Sequence, residues 1–189
     1  MNADFTAERT IMVDSQVRTQ DVTDLAIIDA MRLFPRESLI PSSRAYQAYA
    51  DAEVEYAAGR WLLSPRDVSK LLQCLRPRAG ESVLAISAPY AGAVLAAMGL
   101  SVLQRDAGET TPIEQTFDLI VCEGGMPKAP EAWLAALADG GRLGLVERDG
   151  PVGRATLYLR AGVTVGSRVL FDSTPPILAG FEPKRGFEF

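Results

Sequence analysis

Short apolar runs separated by polar turns recur through the second half of the chain, in the rhythm of strands that alternate with helices. Ser82–Ile86 is such a run and predicts a buried strand, and the alanine-rich segment Ala93–Met98 predicts the helix that follows it. The same pattern predicts three more strands, at Ser101–Gln104, Phe117–Cys122 and Arg142–Glu147. It also predicts one more helix, at Ala129–Ala138. Thr111–Glu114 fits a one-turn helix. This order of elements is typical of an α/β fold.

The end of the chain has a different pattern, in which turns that contain glycine bracket two extended segments. These segments, Ala155–Arg160 and Val163–Phe171, predict antiparallel strands joined by a short turn. The chain is therefore predicted to form an α/β sheet that is mostly parallel and has antiparallel strands at its C-terminal edge.

The first 75 residues are predicted to be helical throughout. Asp24 is a suitable N-cap for a helix that ends before Pro35 and has apolar positions at Leu25, Ile27, Ile28, Met31 and Phe34. A second helix start lies at Ser64-Pro65-Arg66-Asp67, with Ser64 as the N-cap and Pro65 at the first helical position. The buried face of this second helix is predicted to consist of Val68, Leu71, Leu72 and Leu75.

The segment Arg44–Gly59 is rich in alanine and tyrosine and is predicted to be an irregular arm over the domain. No repeat, low-complexity tract or interdomain linker is visible in the sequence. We therefore expect one domain, residues 1–189, made of an N-terminal helical region (1–78) and an α/β core (79–189).

Composition narrows the classes of function. The chain has 189 residues, of which 48% are hydrophobic and 23% charged, and its net charge of −5 argues against general nucleic-acid binding. No apolar run is long enough to span a membrane and no signal-peptide pattern is present, so we expect a cytoplasmic protein.

Cys74 and Cys122 lie in apolar segments and are expected to be free thiols. The chain has no histidine, which excludes imidazole ligands and histidine general bases.

Three groups of segments, taken in order, carry a resemblance that covers nearly the whole chain. They comprise Met12–Arg18, Val22–Asp24 and Ala30–Glu37; then Phe117–Val121, Pro130–Ala132 and Gly140–Leu143; and finally Pro176–Leu178 with Gly180–Phe181. They resemble the N-terminal helices, the fourth to fifth strands and the terminal segment of the protein-L-isoaspartate O-methyltransferase family. The resemblance implies the class I methyltransferase fold, which has a Rossmann-like sheet.

The resemblance also implies a reaction, the transfer of a methyl group from S-adenosylmethionine to the α-carboxylate of isoaspartyl residues in a protein substrate. The sulfonium of this cofactor is already activated, so an enzyme mainly aligns a carboxylate with the methyl carbon. The absence of histidine is therefore compatible with the reaction.

The loop after the first core strand departs from the family's pattern. The resemblance implies an acidic residue followed by Gly-x-Gly-x-Gly, whereas the chain has Ala85 and then the shorter loop Ser87–Gly92, which contains Pro89. Glycine suits this place because a bound cofactor leaves no room for a Cβ, and proline removes an N–H donor. Ser87 and Ala88 are the candidate cofactor-binding residues that remain.

The connection Arg105–Thr116 is too short for the helix and third strand that the resemblance implies. Asp106 lies near the position of the family's ribose-binding carboxylate; the alternative is a solvated loop charge. Without the third strand, Ser101–Gln104 is predicted to lie at the sheet edge, where apolar surface is usually covered. We therefore expect a homodimer or a partner-bound state, in which the N-terminal arm or a second chain covers this region.

Other positions have both a functional and a structural interpretation. Ser64 is the candidate catalytic residue, but it matches the family's substrate serine only after a one-residue shift. Its role as a helix cap already accounts for a serine at this position. Glu123 and Gly124 follow a strand, and they either border a ligand crevice or form a plain strand-to-helix connection. Cys122 is interpreted as a core residue rather than a nucleophile.

Two functions are compatible with these patterns. A third hypothesis, that another small ligand binds in a reshaped crevice, stays open. One is an active S-adenosylmethionine-dependent protein carboxyl methyltransferase. The other is a degenerate member of the same family that binds no cofactor and acts as an interaction or regulatory protein. The second is favoured, because the altered loop, the missing strand and the displaced serine all affect one pocket.

Overall fold

The computed structural model describes residues 4–183, and its N-terminal part is largely helical. The helical elements are α1 (Thr6–Met12), a π-helical turn (Val13–Val17), a 3-10 turn (Arg18–Gln20), α2 (Leu25–Leu33) and two further 3-10 turns (Arg36–Leu39 and Ser42–Gln47). The predicted cap of α2 is confirmed, because the Asp24 carboxylate accepts hydrogen bonds from the N–H groups of Ala26 and Ile27. Of the apolar positions named for this helix, Leu25, its first residue, is 71% exposed, whereas Ile27, Ile28 and Met31 are buried.

A β-hairpin interrupts this region, so the prediction that the first 75 residues are helical throughout is wrong. Strands β1 (Val54–Ala57) and β2 (Arg60–Leu62) pair antiparallel where an irregular arm is predicted. Gly59 permits the tight connection because its φ is +63°, a conformation that residues with a Cβ rarely adopt. The hairpin leads into α3 (Pro65–Leu75), and Ser64 is its N-cap as predicted.

The following elements form the α/β core of the described residues: β3 (Ser82–Ile86), α4 (Pro89–Ala97), β4 (Ser101–Arg105), β5 (Phe117–Met126), α5 (Glu131–Ala135), β6 (Leu137–Arg148), β7 (Gly153–Ala161) and β8 (Thr164–Asp172). The strand order is β4-β3-β5-β6-β7-β8. Strands β4, β3, β5 and β6 are parallel, and β7 and β8 continue the sheet antiparallel. The predicted sheet is confirmed, with β4 at its edge. No helix within residues 4–183 is long and apolar enough to cross a membrane.

The sheet has a hydrophobic core on each face, because alternate side chains of a strand point to opposite sides. On one face, Val83 and Ala85 belong to a core shared with α3, α4 and the N-terminal helices. On the other, Leu84 and Ile86 pack with residues of α5 and with Leu178. The N-terminal region contacts α3 and α4. Within residues 4–183, β4 pairs with β3 alone and Leu103 is 50% exposed. The described part of the N-terminal region therefore does not cover the edge of β4, and that alternative of the sequence analysis is wrong.

Two predicted helices have wrong boundaries, and a third does not form. Helix α4 begins at Pro89, before the predicted start at Ala93, because its first N–H groups find a partner outside the helix. Thr111–Glu114 forms no helix, since the Thr111 hydroxyl accepts a hydrogen bond from Arg105 instead of capping a turn. Helix α5 is shorter than the predicted Ala129–Ala138, because the chain re-enters the sheet at its C-terminal end.

Gly141 provides a test of the packing at the start of the β5–β6 ladder. A Cβ on Gly141 would lie 2.8 Å from the carbonyl oxygen of Ala138 and 2.9 Å from that of Phe117. Both oxygens belong to the backbone and cannot move aside as a side chain does. We expect Gly141→Ala to lower the free energy of unfolding by about 1–3 kcal/mol, as overpacking does. Urea denaturation followed by circular dichroism measures the change.

The control for this substitution is Gly166→Ala in β8, where no atom lies within 4 Å of an added Cβ. It should be neutral or slightly stabilising, because it only reduces the freedom of the unfolded chain. An equal loss of stability in both variants would contradict the steric explanation.

Candidate functional site

The carboxyl ends of β3 and β4 meet beside the start of α4, the place where open α/β sheets bind ligands. The loop between β3 and α4 consists of Ser87 and Ala88 alone. Ser87 has a φ of +43°, which is unusual for a residue other than glycine. Its hydroxyl donates to Asp106 Oδ2 at 3.2 Å and accepts the N–H of Ala107 at 2.8 Å. Ser87 therefore ties the end of β3 to the segment after β4.

Asp106 is held in a bidentate ion pair with Arg60 of β2. Arg60 donates from Nε and Nη2 to the two carboxylate oxygens, both at 2.7 Å. The N–H of Gly108 also donates to Oδ1, at 2.7 Å. These hydrogen bonds, chiefly those from Arg60, hold the pKa of Asp106 well below its usual range. Asp106 thus lies at the predicted strand end, 46% exposed to solvent and with both of its oxygens accepting hydrogen bonds.

Glu123 is completely buried beside the N-terminus of α4. Its Oε1 accepts the N–H groups of Tyr90 at 3.1 Å and of Ala91 at 2.8 Å, and its Oε2 accepts that of Leu63 at 2.9 Å. The first N–H groups of a helix have no partner within the helix and carry partial positive charge, so a carboxylate suits this place. Burial raises the pKa of Glu123, while the Arg36 guanidinium and the backbone donors oppose that rise. Glu123 is an internal cap of α4.

Arg36 is a second buried charge at this place, and the sequence pattern does not reveal it. Its Nε donates to the carbonyl oxygen of Ala48 at 2.8 Å and its Nη2 donates to that of Leu63 at 2.6 Å. Its guanidinium carbon lies 4.6 Å from the centre of the Tyr90 ring, which favours a cation–π interaction. The residue escapes prediction because an arginine in a polar turn is ordinarily solvated. It joins the N-terminal region to the core beneath α4.

The remaining candidate residues lie in other surroundings. Ser64 Oγ accepts the N–H of Asp67 at 3.2 Å, and Ser64 lines a separate cleft of about 420 Å³. Gly124, at a φ of +110°, is covered by Leu178, whose Cδ2 would lie 2.6 Å from an added Cβ. Cys122 is buried, and burial raises the pKa of its thiol. The structure gathers only part of the predicted set around the start of α4: Ser87, Ala88, Asp106 and Glu123.

A cleft of about 230 Å³ opens beside this group. It is lined by Tyr56, Ser87, Ala88, Pro89, Gln104, Arg105, Asp106 and Glu109. Sites for small ligands usually have about 300–1,000 Å³, so the cleft is small for a nucleoside cofactor. Gly92 does not line it: a Cβ there would lie 2.2 Å from Gln104 Nε2, which indicates a packing role for this glycine. Between residues 4 and 183, no cluster of acidic or cysteine side chains is arranged to hold a metal ion.

Comparison with known proteins gives relatives over most of the chain, although no family model matches it. The chain is 33% identical over 177 residues to the protein-L-isoaspartate O-methyltransferase of Methylorubrum extorquens, covering 79% of this chain and 77% of the relative. It is 33% identical over 179 residues to that of Methylorubrum populi, covering 80% and 84%.

Solved structures with the same fold include a Plasmodium falciparum protein-L-isoaspartate O-methyltransferase in complex with S-adenosyl-L-homocysteine. Its TM-score is 0.74 at 14% identity, over 90% of this chain and 97% of that chain. A second protein-L-isoaspartate O-methyltransferase gives a TM-score of 0.69 at 16% identity, over 93% of this chain and 66% of that chain. Both agree with the fold that the sheet order indicates.

Glu123→Gln tests the internal cap of α4. The amide keeps one acceptor oxygen and places an NH₂ group where a backbone N–H now donates, so a buried donor loses its partner. We expect the free energy of unfolding at pH 7 to fall by about 1–3 kcal/mol, measured by urea denaturation. The exposed Glu114→Gln is the matched control and should stay within about 0.5 kcal/mol of the parent. A neutral Glu123→Gln variant would refute the capping role.

Asp106→Asn tests the ion pair through its pH dependence. Arg60 lowers the pKa of Asp106 in the folded protein below the value of about 3.9 in the unfolded chain. The pair therefore stabilises the fold above about pH 4 and loses this contribution as the pH falls towards the folded-state pKa. We expect the variant to be less stable by about 1 kcal/mol or less at pH 7, because Asp106 is 46% exposed.

The difference between Asp106→Asn and the parent should shrink when thermal unfolding is repeated near pH 2. Asp149→Asn, at an exposed position directly after β6, serves as the control. A difference that is the same at both pH values would show that the carboxylate's charge does not stabilise the fold.

Proposed function

The chain belongs to the protein-L-isoaspartate O-methyltransferase family, and we propose that it is a non-catalytic member that uses the family's scaffold to bind proteins. The observation that carries this proposal is the Glu123 carboxylate at the start of α4. It accepts the N–H groups of Tyr90 and Ala91. In α/β folds that bind nucleotides, the N–H groups at the start of the corresponding helix donate hydrogen bonds to the ligand. A ligand would have to displace a buried carboxylate to reach them.

The surroundings of this place do not fit S-adenosylmethionine, the cofactor that the family implies. Ser87 and Ala88 carry side chains where the cofactor would need to approach the backbone closely, and Pro89 has no N–H to donate to it. Asp106 would have to accept hydrogen bonds from ribose hydroxyls, but both of its oxygens already accept them from Arg60. The cleft beside them, of about 230 Å³, is also small. These observations support the loss of the cofactor site.

The second candidate function is an active S-adenosylmethionine-dependent protein carboxyl methyltransferase. The 33% identity to relatives named for isoaspartyl methylation, over 79% of this chain, favours it. In that case the substrate would be a protein and Ser64 would be the catalytic residue. The residues bordering the cofactor would be Ser87, Ala88, Asp106, Glu123 and Gly124.

For either function we propose a single-domain protein of the cytoplasm, with residues 1–78 packed against a core of residues 79–189. A non-catalytic member acts only through what it binds, and we propose a protein partner, which includes a second copy of itself. The free edge strand β4 supports this requirement.

Calorimetric titration with S-adenosylmethionine and S-adenosylhomocysteine discriminates between the two functions. We expect no heat and no thermal stabilisation of this protein at millimolar ligand, because the donors of α4 are already bound. The Methylorubrum extorquens relative, titrated in parallel, is the positive control. Micromolar binding by this chain, about −8 kcal/mol, would overturn the non-catalytic proposal in favour of the enzyme.

Arg60→Ala extends this titration, because it frees Asp106 and leaves the loop after β3 unchanged. We expect the variant to remain unable to bind, since Glu123 still occupies the start of α4. Binding of S-adenosylhomocysteine by Arg60→Ala but not by the parent would overturn the proposal in another way. It would mean that the cofactor site is intact and merely closed by the ion pair.

A further inference from the structure

The outer side of β4 carries backbone groups that have no hydrogen-bond partner among residues 4–183. The N–H of Ser87 donates to the carbonyl oxygen of Arg105 at 2.7 Å, so Arg105 directs its backbone groups towards β3. Because successive residues of a strand direct these groups to opposite sides, Val102 and Gln104 direct theirs away from the sheet. Strand β4 pairs with β3 alone in this part of the chain. Such an edge is a template for another strand.

Leu103 lies between these two residues, and its side chain is 50% exposed. It faces a groove of about 410 Å³ that is also lined by Leu84 and Phe117, on the face of the sheet opposite α4. Natural edge strands are usually protected from pairing by charges, prolines or bulges. The central residues of β4, Val102 to Gln104, provide none of these protections.

We propose that β4 pairs antiparallel with β4 of a second copy of this chain, about a two-fold axis at Leu103. In this register Val102 of each copy lies opposite Gln104 of the other, and their outward N–H and C=O groups bond to each other. The two Leu103 residues form the pair without mutual backbone bonds, in which Cα atoms approach to about 4.5 Å and side chains are closest. A two-fold interface requires a surface that complements itself, and this register supplies one.

The opposite edge of the sheet, β8, is a poorer candidate for self-pairing. Arg168 lies at the centre of β8, so an antiparallel pair about that point would set like charges against each other. A bulge between Ala155 and Thr156 also disturbs the register of the β7–β8 pair. The uncharged centre of β4 carries no such conflict, so the electrostatics select β4.

The proposed interface rests on the role as an interaction protein, and light scattering coupled to gel filtration tests it. From about 5 to 200 μM we expect the parent protein to have twice the monomer mass. Leu103→Lys sets two like charges against each other at the axis and should weaken association at least about tenfold. Val169→Lys is the matched control and should remain dimeric, because Val169 is 56% exposed on β8. A monomeric parent, or a dimer that survives Leu103→Lys, overturns the interface.

Leu103→Cys keeps the proposal testable if the lysine variant does not fold. A separation of about 4.5 Å lies within the disulfide range of about 4.4–6.8 Å, so an oxidised dimer is expected on a non-reducing gel. The variant is made with Cys74→Ser, because Cys74 is partly exposed, and Val169→Cys in the same background should not cross-link. Cross-linking of both variants or of neither overturns the interface. Cofactor binding by a dimeric parent would instead refute the proposed function alone.

Discussion

The carboxylate of Glu123 at the start of α4 is the interaction on which the rest of the structure depends. Every helix begins with N–H groups that need partners from outside, and in ligand-binding α/β folds the ligand supplies some of them. Here a side chain of β5 accepts from Tyr90 and Ala91, and its second oxygen accepts from Leu63 just before α3. Two helix starts and the central sheet are therefore joined by one residue.

A buried carboxylate is costly unless charges and donors surround it, and this explains the place of Arg36. Arg36 brings a compensating positive charge and also donates to the carbonyl oxygens of Ala48 and Leu63. Removal of the Arg36 charge would leave the buried Glu123 carboxylate with its backbone N–H donors alone. The hydrogen bonds of Arg36 thus tie its 3-10 turn to the segments that precede β1 and α3.

Local signals predicted local structure, and contacts between distant residues were beyond them. The caps Asp24 and Ser64 and the strand Ser82–Ile86 follow from residues within a few positions of each other. The start of α4 does not, because the acceptor for Tyr90 is 33 residues away in the chain. In the same way, the end of the second core strand predicted where Asp106 lies. Glu123 was predicted to follow a strand, and this is wrong: it lies within β5, which continues to Met126. Arg60, the partner of Asp106, lies on a hairpin whose Ala-Gly turn gives little signal.

The short connection after β4 links the two unusual properties of this chain. A third strand, as the family resemblance implies, would extend the sheet beyond β4 and give the crevice at the strand ends a further wall. Without it the cleft beside Asp106 measures about 230 Å³, and the backbone groups of Val102 and Gln104 face outward. The same short connection therefore bears on both proposals, on the room for a small ligand and on the edge that is open to a strand. The proposed loss of a cofactor site and the proposed interaction surface therefore both depend, in this fold, on one change in chain length.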